Sequence, residues 1–409
     1  MIGVGAGLVL IVIGAAFRAP ALLAVGVVVE LVWLLQTLWT RFGLRRVTYE
    51  RRLGATRAVV GDEIGLDLIV RNRKALPLPW LQVEDFVSSG ARIADRHLQP
   101  SELPGFAILR TTWTLSWFQR VTRHLQIMAD RRGIYDFRGV RIRVADLFGP
   151  EQAVEERPLP GRYRVVPRSV PVRARTPMSQ IPGPARVVRG LFEDPSLFAG
   201  IRPYAPGDPQ KRLHWKATAR LGRPVSRRFD PGQGQELVIA VDMQTVDGPF
   251  WIMQYDDEVV EGLCTAALSL GRSLITDGVA CGLAVNAYSL RPGRMSYLAP
   301  SAAAAQIGRM ADELADVSLW ASLPFATLLD RLVGLTRPAT SILALSSREP
   351  DEFLPVLRRM KAAGRHVRLT ALGPDAQIAV ARARALGLMA EVARLVPDWK
   401  TAGALDLVG

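Results

Sequence analysis

Cysteine, lysine and histidine are all scarce in this 409-residue chain. It has two cysteines, Cys264 and Cys281, four histidines, and only five lysines among 52 basic residues. Two cysteines cannot build a disulfide framework, which excludes small cross-linked extracellular scaffolds, and their apolar surroundings make them buried fillers. Walker A, His-Glu-x-x-His, Gly-x-Ser-x-Gly and paired-cysteine patterns are all missing, so no catalytic residue is assigned and the chain is not read as an enzyme. His214 has no Cys, Asp or His at ligand spacing and no nucleophile beside it. The lysine deficit has two readings, a GC-rich genome or guanidinium recognition of anions, and the chemistry of arginine does not decide between them.

Half of the residues are apolar (49%) and 22% are charged, which rules out a disordered chain. The length suits two or three domains. The net charge of +14 is unevenly spread: residues 1–40 are neutral, 41–150 hold 19 basic and 11 acidic residues, 151–235 hold 16 and 7, and 236–409 hold 16 and 19. A uniformly basic nucleic-acid binder would not show this. A basic belt between an apolar end and a mildly acidic end points to a located anionic partner.

Residues 1–40 read as a two-helix transmembrane hairpin. Met1 to Phe17 has no charged side chain, Arg18-Ala19-Pro20 breaks the run, and Ala21 to Thr40 contains only Glu30. Each run reaches the ~17–25 residues that cross a ~30 Å hydrocarbon core. No basic segment precedes the first, as a signal peptide would need. Arg41, Arg45, Arg46, Arg51 and Arg52 follow the second run and place the bulk of the chain in the cytoplasm, multi-pass in a bacterial inner membrane. Gly3 and Gly7 form a small-residue packing face rather than a dinucleotide fingerprint. Glu30 shares a helical face with Gly26, Trp33 and Thr37, turned towards the other helix or a second copy, so homo-oligomerisation through the hairpin stays open.

Residues 47–166 read as a small β-sandwich. Ile64, Leu66, Leu68 and Val70 alternate as in a half-buried strand, and further strand signals follow to Val144. Trp80, Trp113 and Trp117 are taken as core. Residues 167–190, rich in Pro, Arg and Gly, read as a linker. From 236 to 409 strands and helices alternate, which predicts a Rossmann-type parallel sheet covered on both faces, with any ligand at the carboxyl ends of the strands.

Between them, 191–235 is a charged signature. Asp208 is placed to cap a helix starting at Pro209 and stopping at Gly222. Arg212, Lys216 and Ala219 or Arg220 would share one face and Trp215 would anchor another. Two readings stand side by side: cations paired with Asp208, Asp230 and Glu236 that lock the segment down, or a binding surface for an acidic protein, phosphate or lipid headgroup.

The segment Arg202-x-Tyr204-x-Pro206-Gly207-Asp208-x-x-x-Arg212-x-His214-Trp215-Lys216-x-x-Ala219-Arg220, with Arg227-x-Phe229 downstream, resembles the hallmark of the domain of unknown function family 58 (DUF58). The order of two spans, Arg71-Asn72-Arg73 to Leu76-Pro77-Leu78-Pro79-Trp80, and Asp146-Leu147-Phe148-Gly149 fits it too. The resemblance implies a von Willebrand A-like C-terminal domain. It also implies association with MoxR-type AAA+ ATPases and membrane transglutaminase-like proteins. Such a domain binds Mg²⁺ through Asp-x-Ser-x-Ser, because a carboxylate and hydroxyls supply the oxygen ligands. Here the loop reads Asp242-Met243-Gln244-Thr245-Val246, and Ser346-Ser347-Arg348 follows a later strand where a second acid would stand, with Glu349 and Asp351 close by. Only Asp242 of that site is kept, so no metal or other cofactor is expected.

The resulting expectation is a membrane-anchored cytoplasmic adaptor that works with a MoxR-type ATPase and rests on an anionic lipid surface. The alternatives are a nucleic-acid-binding module, which the charge distribution disfavours, and an enzyme of unrecognised type.

Overall fold

The computed structural model describes residues 2–145, 152–174, 198–203, 214–229, 236–252, 254–289 and 295–408. The chain divides into two compact units, Met1–Val166 and Pro167–Gly409.

The first unit begins with helices α1 (Ile2–Ala16) and α2 (Pro20–Phe42). Pro20 opens α2, where a missing N–H costs nothing, and Gly43 closes it by donating to Trp39 O (2.7 Å). The two helices pack through glycine: a Cβ on Gly7 would lie 2.5 Å from a Glu30 oxygen, and one on Gly26 would lie 2.8 Å from Ile11 N. Glu30 thus meets Gly7 of its own chain. At 1.5 Å per residue α2 is ~35 Å long and α1 only ~22 Å, so α1 alone falls short of the ~30 Å crossing expected of the first run. Two helices are long and apolar enough to cross a bilayer. In Pro20–Thr37 only 6% of residues are buried, whereas in Asp257–Thr276 78% are, which makes the latter a core helix.

Ten strands follow: β1 (Val47–Leu53), β2 (Arg57–Val59), β3 (Glu63–Asn72), β4 (Leu78–Ser88), β5 (Arg92–Ile93), β6 (Gln99–Pro100), β7 (Phe106–Leu115), β8 (Arg120–Met128), β9 (Gly133–Ala145) and β10 (Gln152–Val166). They make a four-stranded sheet, β1-β3-β8-β5, and a six-stranded sheet, β2-β10-β9-β4-β7-β6. Only the β2/β10 pair is parallel. Ile64, Leu66, Leu68 and Val70 are all buried, as their alternation requires. The core also takes Val83, Trp113 and Ile142. Trp117 does not join it: at 66% exposure it stands at the tip of the β7–β8 turn, corrected from the core role that its neighbours suggested.

Adjacent carboxylates on β4 point to opposite faces. Asp85 lies between the sheets, where it accepts hydrogen bonds from the Tyr49 hydroxyl and from Arg51 Nη1 (2.6 Å) on β1. Arg51, one of the five arginines read as marking the cytoplasmic side, is therefore a buried structural charge with its guanidinium over the Phe137 ring (3.9 Å). Glu84 lies on the other face, paired with Arg110 (3.0 Å) and Arg143 (3.4 Å).

The second unit contains β11 (Val172–Ala174), β12 (Phe198–Pro203), α3 (Trp215–Leu221), β13 (Val225–Phe229), β14 (Glu236–Val241), α4 (Asp257–Thr276), β15 (Ala280–Ser289), β16 (Met295–Ser301), α5 (Ala305–Asp316), β17 (Val317–Ala321), α6 (Phe325–Leu335), β18 (Ser341–Ser346), α7 (Leu354–Ala362), β19 (Val367–Leu372), α8 (Ala376–Ala385), β20 (Met389–Val396) and β21 (Ala404–Val408). β11 lies inside the stretch read as linker, 167–190, of which 167–174 are described and 175–190 are outside the described residues.

The main sheet runs β11-β21-β20-β19-β18-β14-β15-β16, with β17 pairing β15. From β14 to β20 neighbours are parallel except at β16 and β17, which both pair antiparallel with β15. Counted in chain order from β14, with β17 off the path, the strands stand 3-2-1-4-5-6, the doubly wound order. Val238 and Ala240 join α6, α7 and α8 in one apolar cluster, while Ile239 meets α4 at Gly271 on the other face. Covering both faces is why β14 and β18 read as unbroken apolar runs. Cys264 and Cys281 are fully buried, and burial pushes the Cys281 thiol up to about 12.

Candidate functional site

β14 sends the chain to β15 on one side and lies against β18 on the other, so strand order reverses at its carboxyl end. Open α/β sheets bind ligands in that crevice. Asp242 stands there, fully buried, directly after β14.

All its acceptor capacity is taken up by the protein. Oδ1 accepts from Asn286 Nδ2 (2.9 Å), at the end of β15, and from the Gln244 amide (3.1 Å). Oδ2 accepts from Ser346 Oγ (3.0 Å), the last residue of β18, and from Arg348 Nε (3.2 Å) and Nη2 (3.1 Å). The arrangement is itself braced. Asn286 Oδ1 accepts from the Met243 amide (2.7 Å), Ser346 Oγ accepts from the Arg348 amide (3.2 Å), and Arg348 Nη1 donates to Glu352 (3.1 Å). Burial outweighs Arg348 and the hydrogen bonds from Asn286, Gln244 and Ser346, and holds the Asp242 carboxyl above its ordinary pKa.

A divalent cation does not fit this donor set. The guanidinium is within hydrogen-bond distance of the Asp242 oxygen that a metal would need, and Gln244 and Val246 stand where hydroxyls are required. Glu349 and Asp351 both bind Arg382 (2.9 and 2.7 Å) rather than turning to Asp242. Among the described residues no three His, Cys, Asp or Glu side chains gather at one place.

The loop from Asp242 to α4 carries Trp251 and Ile252 largely exposed, and Tyr288 near the end of β15 is exposed too. Tyr255 and Trp320 pack as a tilted pair, with ring centroids 6.1 Å apart. Exposed aromatic and apolar side chains thus lie on the segment after β14 and near the end of β15, while the Asp242 carboxylate is closed off in a polar knot.

The signature folds as a ribbon with a one-turn-plus helix. β12 and β13 pair antiparallel, with Arg202 opposite Ser226, Ile201 opposite Arg227 and Phe198 opposite Phe229. The start expected at Pro209 lies outside the described residues, and the helix described is α3. It starts at Trp215 because His214 is non-helical: its Nδ1 caps the helix by accepting from the Ala217 amide (3.1 Å), while its own amide donates to Val225 O (2.9 Å). Gly222 ends the helix in the left-handed region, as expected. Trp215 is 70% exposed, and among the described residues Thr218 ties the helix to β13, its hydroxyl accepting from the Val225 amide (3.1 Å). Lys216 and Arg220, one turn apart, are exposed beside Ala219. Glu236, offered as a partner for these cations, pairs with Arg337 (2.9 Å). Tyr204, Pro206, Gly207, Asp208, Arg212 and Asp230 lie outside the described residues, as do the side chains of Arg202, Arg227 and Phe229.

Sequence reasoning singled out Asp242 but missed Arg348, Ser346 and Asn286 as its partners. Ser346-Ser347-Arg348 was visible only as the lack of an acid. An arginine two residues past a central strand's last serine, in a fold whose first strand ends in aspartate, is the signal that was available.

Residues 200–327 match the family model "Protein of unknown function DUF58". The match covers Asp242 and Asn286 and stops before Ser346 and Arg348. The chain is also similar to "Uncharacterized protein YeaD" of Bacillus subtilis (strain 168), 24% identical over 248 residues, which are 59% of this chain and 56% of that protein. The chain thus spans little more than half the length of that relative. Among solved structures, the CARDB domain of PF1109 from Pyrococcus furiosus aligns at 12% identity and a TM-score of 0.19, over 29% of this chain and 91% of that one. β-Glucosidase from Listeria innocua aligns at 8% identity and a TM-score of 0.17, over 29% and 16%. TM-scores this low carry no argument about fold or activity. Residues 200–327 are thus similar to DUF58, a family of unknown function, and the chain is distantly similar to YeaD.

Proposed function

We propose that this protein is a non-catalytic, membrane-anchored adaptor whose α/β unit docks a partner protein at the carboxyl ends of its central strands. The observation that carries the reading is the Arg348–Asp242 knot. It takes up the acceptor positions of the Asp242 carboxylate within the protein, while Trp251, Ile252 and Tyr288 are exposed on the segment after β14 and near the end of β15. A catalytic or metal-binding carboxylate would be kept free there, whereas a docking surface needs aromatic anchors.

The doubly wound strand order and the aspartate at its switch point support a von Willebrand A-like unit with a degenerate metal site. The apolar α2, followed by exposed Arg41, Arg45 and Arg46, supports an inner-membrane anchor with both units cytoplasmic. The partner class is the one implied by the resemblance, a MoxR-type AAA+ ATPase, with Lys216 and Arg220 supplying an exposed cationic face for acidic groups.

Cross-linking in native membranes tests the reading, comparing wild type with Trp251→Asp and with a charge reversal of Arg212, Lys216 and Arg220. An AAA+ protein lost from both variants supports it. Unchanged partners refute the docking surface, and duplex binding that survives physiological salt in place of liposome binding moves the protein to the nucleic-acid reading.

A further inference from the structure

We infer that the β7–β8 turn is a second membrane contact: Trp117 and Phe118 enter the headgroup layer of an anionic bilayer beside the carboxyl end of α2. The inference rests on the reading of α2 as a membrane span.

Two adjacent large aromatics stand 66% and 68% exposed at the tip of this turn. Phe118 is held at φ 52°, a left-handed conformation uncommon for a bulky residue. The turn is built to hold it. Ser116 N donates to Gln119 Oε1 (2.7 Å), and Asn72 Nδ2 bridges Ser116 O and Leu76 O (2.9 Å each). A hairpin that fixes two aromatics in water has bought nothing from its own core.

The depth follows from α2. Trp39, in the last turn of that helix, donates its indole N–H to Pro77 O (3.0 Å), and Lys74 Nζ donates to Gly43 O (2.7 Å) just past the helix end. The 74–77 loop therefore lies level with the end of α2, where tryptophans mark the membrane–water interface. The Phe118 amide donates to Lys74 O (3.2 Å), which sets the aromatic tip at the same level.

Charge gives the lipid class. Arg71 stands directly opposite Arg120 across β3 and β8, and the Arg73 amide donates to Arg46 O (3.0 Å). These four arginines are exposed, and among the described residues none pairs with a carboxylate. Several other exposed guanidinium groups of the unit meet acids, as Arg92 meets Asp130 and Arg162 meets Asp136. Like charges facing across a strand pair are unfavourable unless something negative lies against them. Anionic headgroups supply that, and aromatic rings with one wet edge suit the same layer.

The test uses the full chain in liposomes of phosphatidylcholine and phosphatidylglycerol, with an environment-sensitive fluorophore on Ser116→Cys. The native cysteines are fully buried and escape labelling. Labels on Leu31→Cys, within α2, and on Glu102→Cys, beyond the opposite end of β7, mark depth and solvent. Lipids carrying a doxyl quencher near the headgroup are expected to quench the Ser116 label and not the Glu102 label. Adding Trp117→Ser and Phe118→Ser is expected to abolish that quenching while leaving the Leu31 label quenched by mid-chain doxyl. A Ser116 label as unquenched as Glu102, with Leu31 still quenched, overturns the inference, leaves the anchor standing and assigns the aromatics to a protein partner. An unquenched Leu31 label overturns both. Equal headgroup quenching in pure phosphatidylcholine overturns the anionic part.

Discussion

Replacing Arg348 by methionine keeps the length of the side chain and removes its charge. Asp242 would then lose two of its five hydrogen-bond donors and the only cation beside it, in a site where neither side chain is more than 6% exposed. Breaking a buried ion pair in this one-sided way costs about 3–5 kcal/mol, because it strands a desolvated charge. For a unit of 150–250 residues that lowers the melting point by about 6–20 °C. The sign of the pH dependence follows from the raised pKa of Asp242. Its folded carboxyl holds a proton more readily than the unfolded one, so its contribution to stability falls as pH rises from about 4 through the folded value. Without Arg348 that value rises further, so the gap between wild type and variant is small at acidic pH and widens towards neutrality. Melting of the second unit can be followed specifically, since Cys264 and Cys281 are buried there and react with a maleimide only on unfolding. Adding Asp242→Asn is expected to restore part of the loss, making the pair strongly non-additive. A pH-independent loss, or additive single effects, would refute the account of Arg348 as the built-in counter-ion.

Mg²⁺ is expected to leave the melting of wild type unchanged; a rise that Asp242→Ala abolishes, read by calorimetry, would restore the metal site. Arg51→Met should destabilise the first unit by about 3–5 kcal/mol through the stranded Asp85, measured by amide exchange in β3, and much less when Asp85→Asn is added. Burial holds Lys74 down at about 8, so its folded form binds fewer protons than the unfolded chain between pH 8 and 10. The first unit is expected to gain stability over that window in neutral detergent, and Lys74→Met should remove the slope. Gly282→Ala would set a Cβ 2.7 Å from Leu298 O, a backbone atom, and should cost about 1–3 kcal/mol in the same thiol-exposure melt.

What the chain spells out locally was legible. The apolar runs, the alternation of Ile64 to Val70, the glycine stop at Gly222 and the buried cysteines all follow from period and residue type. β16, β17 and β21 escaped notice because antiparallel returns do not carry the continuous apolar signature of β14 and β18, and β20, though parallel to β19, is interrupted by Glu391 and Arg394. Arg348 lies 106 residues from Asp242, and only the side-by-side placement of β14 and β18 makes them neighbours. Trp117 and Trp215 were misread for one reason: a tryptophan signals burial by composition, while its exposure is decided by the turn that carries it. His214 was weighed as a ligand or base and passed over as a cap, a duty its ring nitrogen performs without any partner in sequence.

The strand β11 sets an order of events during synthesis. It pairs with β21, Leu405 N donates to Pro171 O (2.9 Å), and Arg168 Nη1 reaches Lys400 O (2.9 Å) across 232 residues of chain. A segment that leaves the ribosome before the rest of the α/β unit must wait, unpaired, for almost the last strand to emerge. Closure of this sheet is therefore a late step with a long loop behind it, slow on topological grounds. Until then the β21 side of the sheet is an open edge, and the nascent chain is most exposed to chaperones and to misassembly at that moment.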